Sequence, residues 1–297
     1  MRIAVAIGDP NGIGPEIAVK AAARATVEVV LVGDAFVIES YGKANIRDVK
    51  ALPPEAFKPG TLDPRAGAAT VAYAREAVRM AQVGEVDAVV GCPHSETAIN
   101  RARIRFSGYP GLVAELTGTP EDRVFLMLVA AGLRIAHVTL HESVSAALSR
   151  MTRGLVVEAG AAAVKAVERL GVARPRLGVF GINPHAGEDG LWGREDEDVT
   201  KPAVAELRAR GIAADGPTGG DLMLSQRRHD VYLAMFHDQG HIPMKLLSPL
   251  RSSALTIGTP VLFSSVGHGC AYDIAGKGVA DAASVEEALA LLGGAAP

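Results

Sequence analysis

The sequence predicts an α/β protein whose strands are mainly parallel. Short runs rich in β-branched residues alternate with longer helical stretches along the chain. With 297 residues, 48% of them hydrophobic, it can bury a full core, and its length allows one large domain or two intimate ones at ~100–200 residues each. Neither an internal repeat nor a low-complexity linker interrupts the pattern.

Taken in order, Ile3–Ile7 reads as a strand, Ile13–Ala23 as a helix and Val27–Val32 as the next strand. Ala66–Val83 then reads as a helix leading to a strand at Val86–Val90. Arg123–Val129 and Arg134–Leu140 are β-type runs separated by Ala130-Ala131-Gly132-Leu133, which predicts a hairpin. Leu155–Leu170 is an Ala/Val-rich helix running through Gly171 and Pro175 into a strand at Leu177–Phe180, and Asp196–Arg210 is a helix stopped by Gly211. Gly216–Gly220 reads as a glycine-rich turn. Strands recur at Val231–Phe236, Ala254–Ile257 and Val261–Val266, and Val285–Leu292 closes the chain as a helix.

Thirty Lys and Arg against 33 Asp and Glu leave a charge of −3, too balanced for a dedicated nucleic-acid surface or a polybasic membrane face. Cys92 and Cys270 form no metal-ribbon or disulfide spacing, which suits a reducing compartment. The apolar start is broken at Gly8-Asp9-Pro10, too early for a signal-peptide core, and no apolar run reaches the ~18 residues of a membrane span. The expectation is a cytoplasmic protein that handles small molecules, with neither nucleic acid nor membrane as partner.

Three motifs carry chemistry. Gly8-Asp9-Pro10-Asn11-Gly12-Ile13-Gly14-Pro15-Glu16 follows the first strand without being G-x-G-x-x-G or a Walker loop. It reads either as a strand-to-helix turn capped by Asn11 or as backbone held close to a ligand. His141, His185 and His237 each follow a β-type run, and ligand sites in open α/β sheets lie beyond the carboxyl ends of strands. They are either three separate loop histidines or a three-imidazole site for a divalent metal. His237 and His241 have the i, i+4 spacing of a zincin, but Asp238 replaces the required Glu, and Gly240 and Pro243 oppose a helix. There is no G-x-S-x-G elbow of a serine hydrolase. His268-Gly269-Cys270-Ala271-Tyr272-Asp273-Ile274-Ala275-Gly276-Lys277-Gly278 is either a surface Ω-loop or a loop whose glycines let the backbone approach a nucleotide.

Together, the Gly8–Glu16 motif, Asn183-Pro184-His185-Ala186-Gly187, His237-Asp238-Gln239-Gly240 and the His268-Gly269 loop resemble the PdxA family of 4-hydroxythreonine-4-phosphate dehydrogenase and its relatives. The His268–Gly278 segment is also similar to the adenine loop of isopropylmalate dehydrogenases. The resemblance implies a two-domain isocitrate/isopropylmalate dehydrogenase-like fold with mainly parallel sheets and a central cleft. Residues 1–122 and 250–297 would form a discontinuous cofactor-side domain, and 123–249 a metal and dimerisation domain. NAD would meet Asn183, His268, Gly269, Asp273, Gly276 and Gly278. A divalent metal, Zn2+ first, with Mg2+, Mn2+, Co2+ and Fe2+ open, would sit on His141, His185 and His237, the last supplied by the partner subunit of a homodimer. Lys245, eight residues beyond His237, takes the place of the family's pocket lysine, with Asp238 a second acid–base candidate.

The departures are as informative. Phosphate-handling members read Gly-His-Thr-Glu where this chain has Gly108-Tyr109-Pro110-Gly111, and place Asn, Arg and Lys where it has Ala254, Phe263 and Glu96. These exchanges remove groups that a phosphate dianion needs. With Cys92-Pro93-His94, Val138-Thr139-Leu140-His141-Glu142-Ser143 and Ser264-Ser265-Val266-Gly267-His268, they resemble the terephthalate dihydrodiol dehydrogenase branch. That branch oxidises 1,2-dihydroxy-3,5-cyclohexadiene-1,4-dicarboxylate with NAD to protocatechuate, CO2 and NADH. Tyr109 and Phe263 would then face a ring substrate, with Lys245 and Arg251 as carboxylate partners. The alternatives are a 4-hydroxythreonine-4-phosphate or other hydroxy-acid dehydrogenase and, in another class, a catalytically silent nucleotide- or metal-binding protein.

Overall fold

The apolar run that opens the chain becomes β1 (Arg2–Ala6) in the computed structural model of the protein, which describes residues 1–248 and 252–294. α1 (Gly14–Arg24), β2 (Glu28–Gly33), α2 (Ala35–Glu39), β3 (Ile46–Asp48), α3 (Pro64–Gln82), β4 (Ala88–Gly91), α4 (Glu96–Arg101) and α5 (Tyr109–Thr117) follow. β1 is flanked by β2 and β4, both parallel to it, with Ile3 opposite Val29 on one side and Ala88 on the other. Strands covered on both faces need continuous apolar sequence, and Ala88–Gly91 is buried at every position. α3 starts as its sequence dictates: the Asp63 carboxylate accepts from the Arg65 amide at 2.8 Å and Pro64 occupies the first turn. Its Ala74, Ala77 and Val78 are fully buried.

The second stretch contains β5 (Phe125–Ala130), β6 (Leu133–His137), α6 (Val144–Arg150), α7 (Arg153–Arg169), β7 (Leu177–Phe180), α8 (Lys201–Ala209), β8 (Ala214–Thr218), α9 (Gly220–Gln226), β9 (Val231–Ala234) and α10 (His237–Leu247). The predicted hairpin forms between β5 and β6, with Ala131 (φ 49°) and Gly132 (φ 75°) both left-handed, as a tight two-residue turn demands. The chain ends with β10 (Ser253–Ile257), β11 (Phe263–Val266) and α11 (Ala283–Leu292).

Two compact units result: Met1–Thr119 with Leu250–Pro297, and Pro120–Pro249. In the first the strand order is β3-β2-β1-β4-β11-β10, in the second β5-β6-β9-β7-β8. Among the described residues, the β5–β6 and β10–β11 pairs run antiparallel and the other pairs within these units run parallel, so the α/β reading with mainly parallel strands holds. Among the described residues no helix is long and apolar enough to cross a membrane.

Three local expectations fail for physical reasons. Gly216-Pro217, expected inside a turn, lies in β8, which pairs with β7 alone at the end of its sheet, where a missing N–H is tolerated. Asn11 does not cap α1: Ile13 is the N-cap, and the Asn11 side chain serves other segments. Gly240 and Pro243, expected to oppose a helix, both lie within α10. Helix propensity is a weak prior that tertiary packing overrides, and here Gly240 and Met244 are buried.

Candidate active site

β6, β9 and β7 are adjacent and parallel, so the segments leaving their carboxyl ends emerge along one edge of the second unit. After β6 the Val138 amide donates to Ala234 O at 2.9 Å and the Thr139 hydroxyl to Met235 O at 2.7 Å. These bonds hold the two exits side by side and bring His141 and His237 close, ring centroids 5.6 Å apart and planes tilted by 47°. They border a 630 Å³ cleft lined also by Glu142, Val144, Ala147, Phe236 and Asp238. His185 leaves β7 on a different course. His185, Ala186, Glu188 and Asp189 all have φ between 43° and 56°, a left-handed run that costs about 1–2 kcal/mol per non-glycine residue. Among the described residues, no group of three His, Cys, Asp or Glu side chains gathers in a metal-binding arrangement. In the single chain His141 and His237 lie side by side, and His185 does not complete such a group with them.

Buried polar groups hold that loop. Asp196, fully buried, accepts from the amides of Ile182 (2.8 Å) and Asn183 (2.9 Å), and the Thr200 hydroxyl donates to the same carboxylate. Gln239 braces the start of α10: its Oε1 accepts from the amides of Met235 and Phe236, and its Nε2 donates to Gly181 O at 3.0 Å. Neither role was assigned from sequence, although a Gln three residues into a helix that follows a strand is the signal for it.

The donor set suits a divalent cation. His237 Nδ1 lies 2.7 Å from Asp238 Oδ1 and His185 Nδ1 lies 2.6 Å from Glu188 Oε1. A neutral imidazole that donates from Nδ1 to a carboxylate presents a bare Nε2, the arrangement by which carboxylates orient metal-binding histidines.

Two further histidines back His237. One turn along α10, His241 stacks on it at 3.7 Å with the rings 11° apart. His241 Nδ1 lies 3.2 Å from Nε2 of His137, the fully buried last residue of β6. Burial, with help from neighbouring imidazoles, pushes His137 down to about 3 and His241 to about 4. The i, i+4 geometry rejected from sequence therefore exists, although Asp238 still excludes the zincin signature. Lys245, half-buried one turn further on, adds to the depression of His241.

In the first unit the Gly8–Glu16 segment is buried throughout. Its glycines admit other parts of the protein: a Cβ on Gly14 would stand 2.1 Å from Ile7 O, and one on Gly12 2.8 Å from the Cys270 Cβ. Tyr272 donates to Asp9 at 2.7 Å, and the Ile13 amide to Cys270 O at 2.9 Å. Burial raises the Asp9 carboxyl against the lowering effect of that tyrosine. Glu16 accepts from the amides of Gly278 and Ala280, and Lys20 donates to both of their carbonyls at 2.9 Å. The motif is thus a clasp on the His268–Gly278 loop. On that loop Gly269, Asp273, Gly276 and Gly278 are exposed, and His268 Nε2 is 2.6 Å from the Ser284 hydroxyl.

The remaining candidates are scattered. Asn183 lies in the second unit, where its amide donates to Glu195 at 2.7 Å. Tyr109 and Phe263, expected to face a ring substrate, are interior: Tyr109 is 2% exposed and donates to Cys92 O at 2.8 Å, and Phe263 is fully buried beside it. His94 packs edge-on against Tyr109 and Phe106, and burial pushes it down to about 4. Arg251 lies outside the described residues.

A family profile, pyridoxal phosphate biosynthetic protein PdxA, matches residues 4–292. The 1,2-dihydroxy-3,5-cyclohexadiene-1,4-dicarboxylate dehydrogenase of Comamonas sp. is 52% identical over 98% of this chain and 97% of its own. The crystal structure of a terephthalate 1,2-cis-dihydrodiol dehydrogenase from Burkholderia xenovorans is similar at 51% identity, with a TM-score of 0.82 over 98% of this chain and 97% of that one. The 4-hydroxythreonine-4-phosphate dehydrogenase of Klebsiella pneumoniae, 32% identical, superposes with a TM-score of 0.88 over 98% and 96%.

Proposed function

The chain belongs to the PdxA family, and on that premise we propose that it is an NAD-linked dehydrogenase that oxidatively decarboxylates a cyclic cis-dihydrodiol carboxylate. The observation that carries this reading is the 52% identity, across almost the whole chain, to the Comamonas dihydrodiol dehydrogenase. The substrate is 1,2-dihydroxy-3,5-cyclohexadiene-1,4-dicarboxylate, and the products are protocatechuate, CO2 and NADH. Oxidation of the secondary hydroxyl creates a ketone β to a carboxylate. Loss of CO2 then leaves its bonding electrons delocalised toward that ketone, and the ring aromatises.

His141, His185 and His237 would hold a divalent metal, Zn2+ first, whose chemistry when bound is to polarise the substrate oxygens. NAD, as hydride acceptor, is assigned to the exposed backbone of the His268–Gly278 loop, which the Glu16–Lys20 clasp fixes from behind. Asp238 orients His237 through Nδ1. Lys245 is assigned the proton or carboxylate contact.

The site is assigned to a homodimer in which His237 of each set comes from the partner subunit. His141 and His185 are exposed, and so are the nearby apolar Val144, Ile242 and Leu246, a surface that a second copy would cover. Mixing inactive His141→Ala with inactive His237→Ala chains should then restore activity, because one site of the heterodimer keeps its wild-type histidines. No recovery from proven heterodimers overturns the supply of His237 by the partner subunit. The substrate is tested by scoring NADH absorbance on a panel of diols. The cyclic diol dicarboxylate should exceed 4-hydroxythreonine 4-phosphate in kcat/KM by orders of magnitude, and the reverse ranking overturns the assignment.

A further inference from the structure

His137 and His241 belong to no site assigned so far, yet they are linked to the cleft through ring contacts. His137 Nδ1 is 3.3 Å from Leu126 O on the neighbouring strand, and its Nε2 is 3.2 Å from His241 Nδ1. His241 Nδ1 is also 3.2 Å from His237 O. A carbonyl only accepts, so each of these carbonyls calls for a proton on the nitrogen that faces it. His137 is then protonated on Nδ1 and bare on Nε2, while His241 is protonated on Nδ1 and donates to that bare nitrogen. Both carbonyls thus demand the same proton order, and a hydrogen bond between two ring nitrogens requires just such a bare acceptor. The His137 ring is seated firmly: a Cβ on Gly240 would stand 2.2 Å from its Nε2, so only glycine at that position leaves it room.

We propose that His137 and His241 are positioning residues, a relay anchored on the carbonyls of Leu126 and His237 that holds the His241 ring flat beneath His237 and so presets its orientation toward the cleft. The structural part stands on these contacts alone, whereas the consequence for metal binding rests on the reading of His237 as a ligand. His241 does not line the cleft, so it acts on the cleft through His237.

Two measurements on the full-length protein test this. Long-range proton–nitrogen spectra of histidine-labelled, metal-free protein, assigned with His137→Leu and His241→Phe variants, read the tautomers directly. Both rings should be protonated on Nδ1. A proton on Nε2 of either ring overturns the relay, whatever the protein binds. Calorimetry with Zn2+ alone then reads the consequence. His137→Leu, which fills the space but cannot accept, should weaken binding about 10- to 100-fold, the usual cost of losing a group that orients a ligand. His137→Gln, which returns an acceptor near the same place, should recover most of the loss. Unchanged binding in a folded His137→Leu protein, or no recovery in His137→Gln, overturns the positioning role. If the wild-type protein fails to bind Zn2+, the metal reading of His237 falls, and the tautomer spectra still decide the relay.

Discussion

The buried polar groups of the first unit and the exposed carboxylates beside the second unit's histidines do different work. In the first, Asn11 and Glu16 hold the backbone of other segments and Asp9 takes the Asn11 amide and the Tyr272 hydroxyl: Asn11 alone takes the Lys58 amide at 2.7 Å and donates to Ala56 O at 3.1 Å. The result is a closed arrangement that fixes one loop against another. In the second, Asp238 and Glu188 each take one nitrogen of an imidazole and leave the other nitrogen bare. Satisfying all of a polar group fixes a main chain, whereas satisfying half of it aims a side chain.

The most severe way to break the contrast is to remove an aimed group. His237→Ala, or exhaustive chelation, should lower kcat/KM at least about a thousandfold, because Lewis-acid stabilisation is worth several kcal/mol. NAD binding, followed by calorimetry, should persist, since the clasp lies in the other unit. The reciprocal change is Glu16→Ala. It strips partners from two backbone amides and from Lys20 and should cost about 2–4 kcal/mol in denaturant unfolding. It should also raise KM for NAD while leaving Zn2+ affinity unchanged.

How much of this was legible depended on range. Every strand but β3 and β8, the β5–β6 hairpin and the three strand-end histidines follow from local periodicity and punctuation, which the sequence displays directly. The clasp was invisible because Gly8–Glu16 meets residues more than 250 positions away, and glycines that admit a ligand look the same as glycines that admit another loop. His137 was invisible for a related reason: it sits at the end of an apolar strand, and only the parallel pairing of β6 with β9 puts it under α10.

A smaller effect sharpens the comparison within the second unit. Gln239→Leu removes the acceptor for two amides and the donor to Gly181 O, and should cost about 1–3 kcal/mol of stability. It should loosen the angle between the β7 and β9 exits, seen as a fall in kcat with KM for NAD unchanged. The smallest is Tyr109→Phe, which deletes one buried hydrogen bond to Cys92 O and should cost about 1 kcal/mol in thermal unfolding. Because the ring is interior, the ranking of diol substrates should not move. A changed ranking would return Tyr109 to the pocket wall.

The fit of His137 against Gly240 also sets an order in which this molecule can change. While the imidazole stands 2.2 Å from where a Cβ would be, position 240 accepts no replacement, and a library varying it alone returns only losses. Once residue 137 is trimmed to alanine, the space opens and alanine at 240 becomes affordable. Routes through sequence space that begin at 137 are therefore open, and those that begin at 240 are closed, so the same pair of substitutions succeeds or fails according to which comes first.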